Sequence, residues 1–267
     1  MTASNVYSDF TECDQASIPQ TMYHFLDLIN VSPEFQYYKG QMRPLLALQP
    51  RETVLDVGCG VGYESCRLAQ EYPEAAVIGV DRETMVAEAA RRATRLGLDI
   101  RWLPGQAEAL PSPDAAVDAC ITERVLLFLP DPAQGVAEMV RVLRPGGRIV
   151  SYELDMAATI LSGDRVMAKQ VVDLLGESVG DARLGRRLPG LLSQAGLVDI
   201  TFELVAIQPS SELVQMIVID PVRAAIDGSR LPAAAATAWL DELAAADAAG
   251  LFTAALIGWL SSGRLPG

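Results

Sequence analysis

Val54-Leu55-Asp56-Val57-Gly58-Cys59-Gly60-Val61-Gly62 carries an apolar strand into three glycines at alternate positions, and a helical pattern over 63–72 follows. Glycine lets the backbone turn tightly and lets a ligand approach with no Cβ in the way. The helix behind the turn presents free N–H groups and the positive end of its dipole. In an open parallel sheet this edge is also where the ligand crevice lies. The dinucleotide fingerprint G-x-G-x-x-G fails because Tyr63 holds its last position, and the G-K-[ST] of a phosphate loop is absent. An acid, Asp56, stands two residues before the first glycine. No diphosphate demands an acid there, whereas a ligand with an ammonium and a sulfonium suits it.

From residue 51 onward, apolar runs alternate with helical patterns, which predicts a parallel sheet covered by helices. Strands are expected at Thr53–Val57, Ala76–Val80, Leu98–Leu103, Val117–Thr122, Arg148–Tyr152, Asp199–Ile207 and Phe252–Leu260. Between them helices are expected at Thr84–Leu96, Pro132–Leu143, Arg165–Val179, Leu188–Ala195, Leu213–Ile226 and Ala233–Ala248. Gly97 is placed to end the first of these, and Pro221 is expected to break the fifth. Apolar residues at Phe35, Tyr38, Met42, Leu45 and Leu46 suggest helices lying over the ligand edge. Asp81 closes the second strand. Its carboxylate either accepts the two hydroxyls of a ribose or caps the helix near Thr84; the glycine turn nearby favours the ribose.

Composition removes whole classes of partner. The 267 residues are 50% hydrophobic and carry a formal net charge of −13, with 34 acids against 21 bases. Nucleic acids are held largely by Lys and Arg, and this chain has only Lys39 and Lys169 and no basic stripe, so a polymeric RNA or DNA substrate is not expected. No apolar run approaches the roughly 18 residues of a membrane helix, and Met1–Phe10 lacks a positive region followed by an apolar one, so no secretion signal is expected. The cytoplasm is the expected compartment. Cys13, Cys59, Cys66 and Cys120 form no CxxC pair and His24 is the sole histidine, so no zinc site is expected and the thiols are read as reduced.

With these residues in place, 51–150 resembles the core of a class I S-adenosylmethionine-dependent methyltransferase. It is particularly similar to the small-molecule branch that includes the ubiquinone and menaquinone methyltransferases and many natural-product enzymes. The matching blocks are Val54–Gly62, Gly79-Val80-Asp81, Gly105–Pro111, Val117–Pro132 and Val142–Gly147. The resemblance implies a Rossmann-like seven-stranded α/β sheet whose last strand lies antiparallel beside strand five. A helical lid would span 1–50, the S-adenosylmethionine-binding core 51–207, and a helical insertion plus the last strand 208–267. It further implies that Asp56 holds the methionine ammonium and that Gly58, Gly60 and Gly62 let the backbone pass close to the methionine moiety. Asp81 would take the ribose, Arg82 or Met85 would flank the adenine, and Gln106-Ala107 would meet its edge. Thr122 and Glu123 would lie beside the methionine carboxylate and sulfonium.

A sulfonium methyl is already electrophilic, so the protein's main task would be alignment and exclusion of water. The Asn/Asp-Pro-Pro-aromatic block of enzymes that methylate exocyclic amines is replaced by Ile121-Thr122-Glu123-Arg124, which favours a small apolar or aromatic acceptor. Phe128 replaces a histidine that many relatives carry. A base would then come from His24 on the lid or from Glu153; His24 is equally readable as a surface helix residue, and Glu153 and Asp155 as helix caps. Tyr23, Arg124, Phe128 and Asp155 complete the candidate acceptor contacts. The rival reading is a cyclase or lyase that keeps the cofactor pocket without transferring methyl. A homodimer stays open.

Overall fold

The computed structural model describes residues 20–267, so the expectations for Met1–Phe10 and Cys13 lie outside the described residues. Strand β1 (Thr53–Val57) pairs in parallel with β2 (Ala76–Asp81) and β4 (Val117–Glu123), β2 with β3 (Arg101–Pro104), and β4 with β5 (Leu143–Leu154). The last strand, β8 (Ala254–Arg264), runs antiparallel between β5 and β7 (Val198–Ile207), giving the order β3-β2-β1-β4-β5-β8-β7. Seven strands are expected at these places, but β3 starts at Arg101 and not at Leu98, and β5 starts at Leu143 and not at Arg148, running through the expected Pro145-Gly146-Gly147 turn. An eighth, β6, is only Ile160–Leu161 and pairs with the start of β8.

Helices α1 (Gln20–Val31) and α2 (Pro33–Leu45) precede the sheet, and α3 (Tyr63–Glu71), α4 (Glu83–Leu96) and α5 (Pro132–Val142) cross between its parallel strands. The central strands are buried almost throughout; Val54, Leu55, Val57, Ala119, Cys120 and Ile121 are all fully inaccessible or nearly so. That is why they read as unbroken apolar runs, not alternating ones. Gly97 ends α4 with φ +67 as anticipated. Asp131 caps α5 through the N–H groups of Ala133 and Gln134, with Pro132 in its first turn.

Helices α6 (Arg165–Glu177), α7 (Leu184–Gln194), α8 (Ser211–Asp227) and α9 (Ala233–Ala248) complete the chain. Pro221 does not break α8, contrary to expectation. Leu213, Val214, Ile217, Val218, Val222 and Ala225 are buried on both sides of it, and packing of that face outweighs the one backbone bond proline removes. Strand β8 begins two residues later than expected and extends to Arg264. Its polar end, Ser261-Ser262-Gly263, is held by strands on either side, a support that local hydrophobicity does not reveal.

Candidate functional site

The glycine turn is tied to the end of β2. Gly58 and Cys59 donate N–H bonds to the Val80 carbonyl at 2.8 and 3.0 Å, and Gly60 N–H donates to Asp81 Oδ2 at 2.7 Å. All three glycines lie in the left-handed region, with φ of +71, +54 and +81, yet they serve different ends. A Cβ on Gly58 would collide with the Val125 side chain, and one on Gly62 would meet Ala89 and Trp102 at 2.8 Å. Only at Gly60 would it enter open space. Gly62 is therefore a packing glycine at the start of α3, not a contact for a ligand, because the neighbouring helix and Trp102 already fill the place a side chain would take.

That open space is a crevice of about 420 Å³ along the C-terminal edges of β1, β2 and β4. Of the candidate residues, Asp56, Gly58, Gly60, Asp81, Arg82, Met85, Gln106, Ala107, Glu123, Arg124 and Phe128 line it. Asp81 does not cap α4, whose first flanking residue is Arg82 with no side-chain cap. Its carboxylate accepts N–H bonds from Gly60 and Arg82, both at 2.7 Å.

Asp56 is 4% exposed and accepts a 2.5 Å bond from Ser65 Oγ. Burial pushes its carboxyl up to about 7; the Ser65 bond opposes this, and the charges of Glu64 and Glu123 add to it. Glu123 behaves in the opposite way. Burial would raise it too, but Lys39 and Arg124 beside it, with bonds from Lys39 and Tyr38, hold it down at about 2. Glu123 is thus a fixed anion in the crevice wall. Arg124, at φ +54, donates back to Glu123 from Nε at 3.0 Å and lies over the Phe35 ring.

Besides Gly62, five candidates fall outside the crevice. Thr122 is fully buried within β4, its hydroxyl without a partner among the described residues, and strand alternation puts it on the opposite face of the sheet from Glu123, which lines the crevice. His24 sits on the exposed face of α1, 3.3 Å from Glu212 at the start of α8. Tyr23 packs beside Met22, Val61 and Met85. Glu153 is completely buried and accepts the N–H groups of Val125, Leu126 and Leu127 at 3.0–3.3 Å. It holds the short 3-10 turn Leu126–Phe128, so a catalytic base there does not fit. Asp155 is 1% exposed and paired with Arg186, which leaves it no access to an acceptor.

The sequence reading missed Lys39. It is 3% exposed, lines the crevice, and bonds to Glu123. Helical spacing contained the signal, since Phe35, Tyr38, Lys39, Met42 and Arg43 form one buried stripe of α2. The apolar half of the crevice was missed as well: Phe25 and Ile29 come from α1, Leu213 and Ile217 from α8, and Leu256 from β8. No local motif marks them, because helices far apart in sequence bring them together.

A family model described as "Methyltransferase domain" matches residues 55–151. The chain is 34% identical over 242 residues to an uncharacterised transposon protein of Streptomyces fradiae, covering 86% of this chain and 68% of that one. It is 37% identical over 148 residues to the demethylmenaquinone methyltransferase of Deinococcus radiodurans, 54% of this chain and 61% of that enzyme; it spans less than two thirds of that relative's length. A phosphoethanolamine N-methyltransferase of Haemonchus contortus, solved with S-adenosyl-L-methionine, shares the fold with a TM-score of 0.64 at 14% identity, over 99% of this chain and 60% of that one.

Proposed function

This chain belongs to the class I S-adenosylmethionine-dependent methyltransferases, and on that premise we propose that it methylates a small apolar or aromatic acceptor, of the quinone or secondary-metabolite type. The observation that carries the proposal is the division of one crevice into a charged wall (Asp56, Glu123, Lys39) and an apolar one (Phe25, Ile29, Leu213, Ile217). S-adenosylmethionine is the cofactor, and the residues present suit it. The space over Gly60 is a cradle that any Cβ would occupy. Asp56 and Glu123 supply carboxylates for an ammonium and a sulfonium, and Asp81 supplies acceptors for a diol.

In this reading Asp56 holds the methionine ammonium, Asp81 the ribose, and Gln106-Ala107 with Met85 the adenine. The cofactor supplies an electrophilic methyl group. The chain's own work is to bring an acceptor atom in line at about 3–3.5 Å and to keep water out. Helix α1 acts as a lid for this purpose, with Phe25 and Ile29 closing on Leu213 and Ile217. Neither His24 nor Glu153 deprotonates the acceptor: the first is on the outer surface and the second is engaged by three backbone N–H groups.

The test is product analysis with labelled S-adenosylmethionine and a panel of phenolic, quinol and amine metabolites. A mass gain of one methyl with stoichiometric S-adenosylhomocysteine is expected. Conversion of an acceptor without consumption of the cofactor would establish the cyclase or lyase reading instead.

A further inference from the structure

On its apolar side the crevice holds no group that could take a proton from an acceptor. Phe25, Ile29, Leu213, Ile217 and Leu256 form that side, His24 faces outward, and Glu153 is engaged by backbone N–H groups. The charged group beside it is Arg124, whose guanidinium carbon lies 5.5 Å from the centroid of the Phe35 ring; both residues line the crevice. A guanidinium has a side edge, Nε with Nη2, and an end edge, Nη1 with Nη2, and either can grip an oxyanion. Arg124 commits its side edge to a single atom: Nε and Nη2 lie 3.0 and 2.9 Å from Glu123 Oε1. Tyr38 pins Glu123 at that same oxygen and Lys39 at the other, so the carboxylate does not swing across to cover the rest of the fork. Nη1 has no hydrogen-bond partner among the described residues. The residue is also held in a strained backbone, at φ +54 with its N–H on the Tyr152 carbonyl at 2.8 Å. Such a conformation persists only where the surroundings enforce it.

We propose that the free end edge of Arg124 is an oxyanion site, and that the acceptor is an apolar or aromatic molecule carrying a carboxylate, phenolate or enolate. A cation at hydrogen-bond distance favours the ionised form of such a group, so the crevice needs no base. The acceptor's proton goes to water as it binds. The ionised oxygen, or the carbon conjugated with it, then bonds to the methyl group, while the electron pair of the S–CH3 bond stays on sulfur as a neutral thioether. An amine gains nothing from this edge, because a guanidinium only donates. The inference deepens the methyl-transfer reading above and rests on it.

The experiment is calorimetry on the full chain saturated with S-adenosylhomocysteine, using two pairs of probes matched in shape and differing in charge. One pair is naphthoate and naphthamide; the other is hydroxynaphthoquinone, ionised at neutral pH, and aminonaphthoquinone. The ionised member of at least one pair should bind roughly tenfold or more tightly than its neutral partner, the scale of a charge-assisted hydrogen bond. Arg124→Gln should erase that ratio, and Arg124→Lys, which keeps the charge and loses the fork, should restore part of it; the folding of both is first checked by thermal melting. A role limited to holding Glu123 would weaken both members of a pair alike and leave the ratio standing. Equal binding within both pairs, no binding of any probe, or a ratio that survives Arg124→Gln overturns the inference. The cofactor's own carboxylate is the other oxyanion that could occupy the edge. If Arg124→Gln weakens S-adenosylhomocysteine but not methylthioadenosine, which lacks the amino-acid end, and the probe ratio stays, the edge belongs to the cofactor and the inference falls. In the product analysis above, methylation of amines alone would overturn this inference and leave the methyl-transfer reading intact. Failure of the wild-type chain to bind any adenosyl compound would instead overturn the cofactor reading itself.

Discussion

Asp56 is the residue through which pH enters the site. Its carboxyl is raised from 3.8 to about 7 by burial, so the folded, ligand-free chain holds a proton that the unfolded chain releases. The stability this proton confers is present below the unfolded value and is lost as pH rises toward about 7. Asp56→Asn should therefore gain stability relative to the wild type between pH 5 and 8, by a few kcal/mol on the order-of-magnitude scale of about 1.4 per pKa unit, in urea titrations. A cationic ligand demands the ionised form, so S-adenosylmethionine affinity should rise from pH 6 to 8 in the wild type and stay flat and weaker in the variant. Asp81→Ala should weaken that affinity roughly tenfold, about 1.4 kcal/mol, and an unchanged calorimetric Kd would refute the ribose role. The glycines separate binding from packing. Both positions have left-handed φ, so either alanine costs about 1–2 kcal/mol in backbone strain; Gly60→Ala adds no clash and should lose binding, since its Cβ enters open crevice, whereas Gly62→Ala should lose more stability, since Ala89 and Trp102 stand in the way.

At the scale of elements, the turn Leu126–Phe128 owes its shape to Glu153 beneath it. Glu153→Ala would leave the buried N–H groups of Leu126 and Leu127 and the half-buried one of Val125 without their acceptor, and each buried unsatisfied group costs about 1–3 kcal/mol. Chemical denaturation should show a loss of several kcal/mol, with Phe128 and the acceptor wall disturbed in consequence. The link between α1 and α8 is weaker. His24 and Glu212 are both more than half exposed, and such pairs contribute little, so His24→Ala should leave both the melting temperature and the methyl-transfer rate nearly unchanged. Helix α2 is the opposite case. Its periodicity was legible, and the same periodicity places Lys39 and Arg43 on the buried side. What the pattern does not contain is their partners: Glu123 and Glu64 arrive from β4 and α3, and only the packed fold brings them within bonding distance.

Across the whole molecule, β8 reaches the charged wall through a relay of contacts. A Cβ on Gly258 of β8 would strike the Tyr152 ring; Tyr152 stacks on Tyr38 with ring centroids 3.8 Å apart; and Tyr38 donates to Glu123. Gly258→Ala should displace Tyr152, lower stability, and weaken S-adenosylmethionine binding from a distance, and a variant with altered melting but unaltered binding would break the relay. The sequence by itself determined the parallel core, the glycine turn and the acids that follow the first two strands, because each is specified within a few neighbouring residues by apolar runs, backbone freedom and the chemistry of a carboxylate at a strand end. Tertiary structure alone decided which glycine leaves room for a ligand, that His24 faces outward and Glu153 inward, that α8 continues through its proline, and that Lys39 neutralises Glu123. Those outcomes depend on what lies opposite each side chain, and the residues opposite are dozens to hundreds of positions away along the chain.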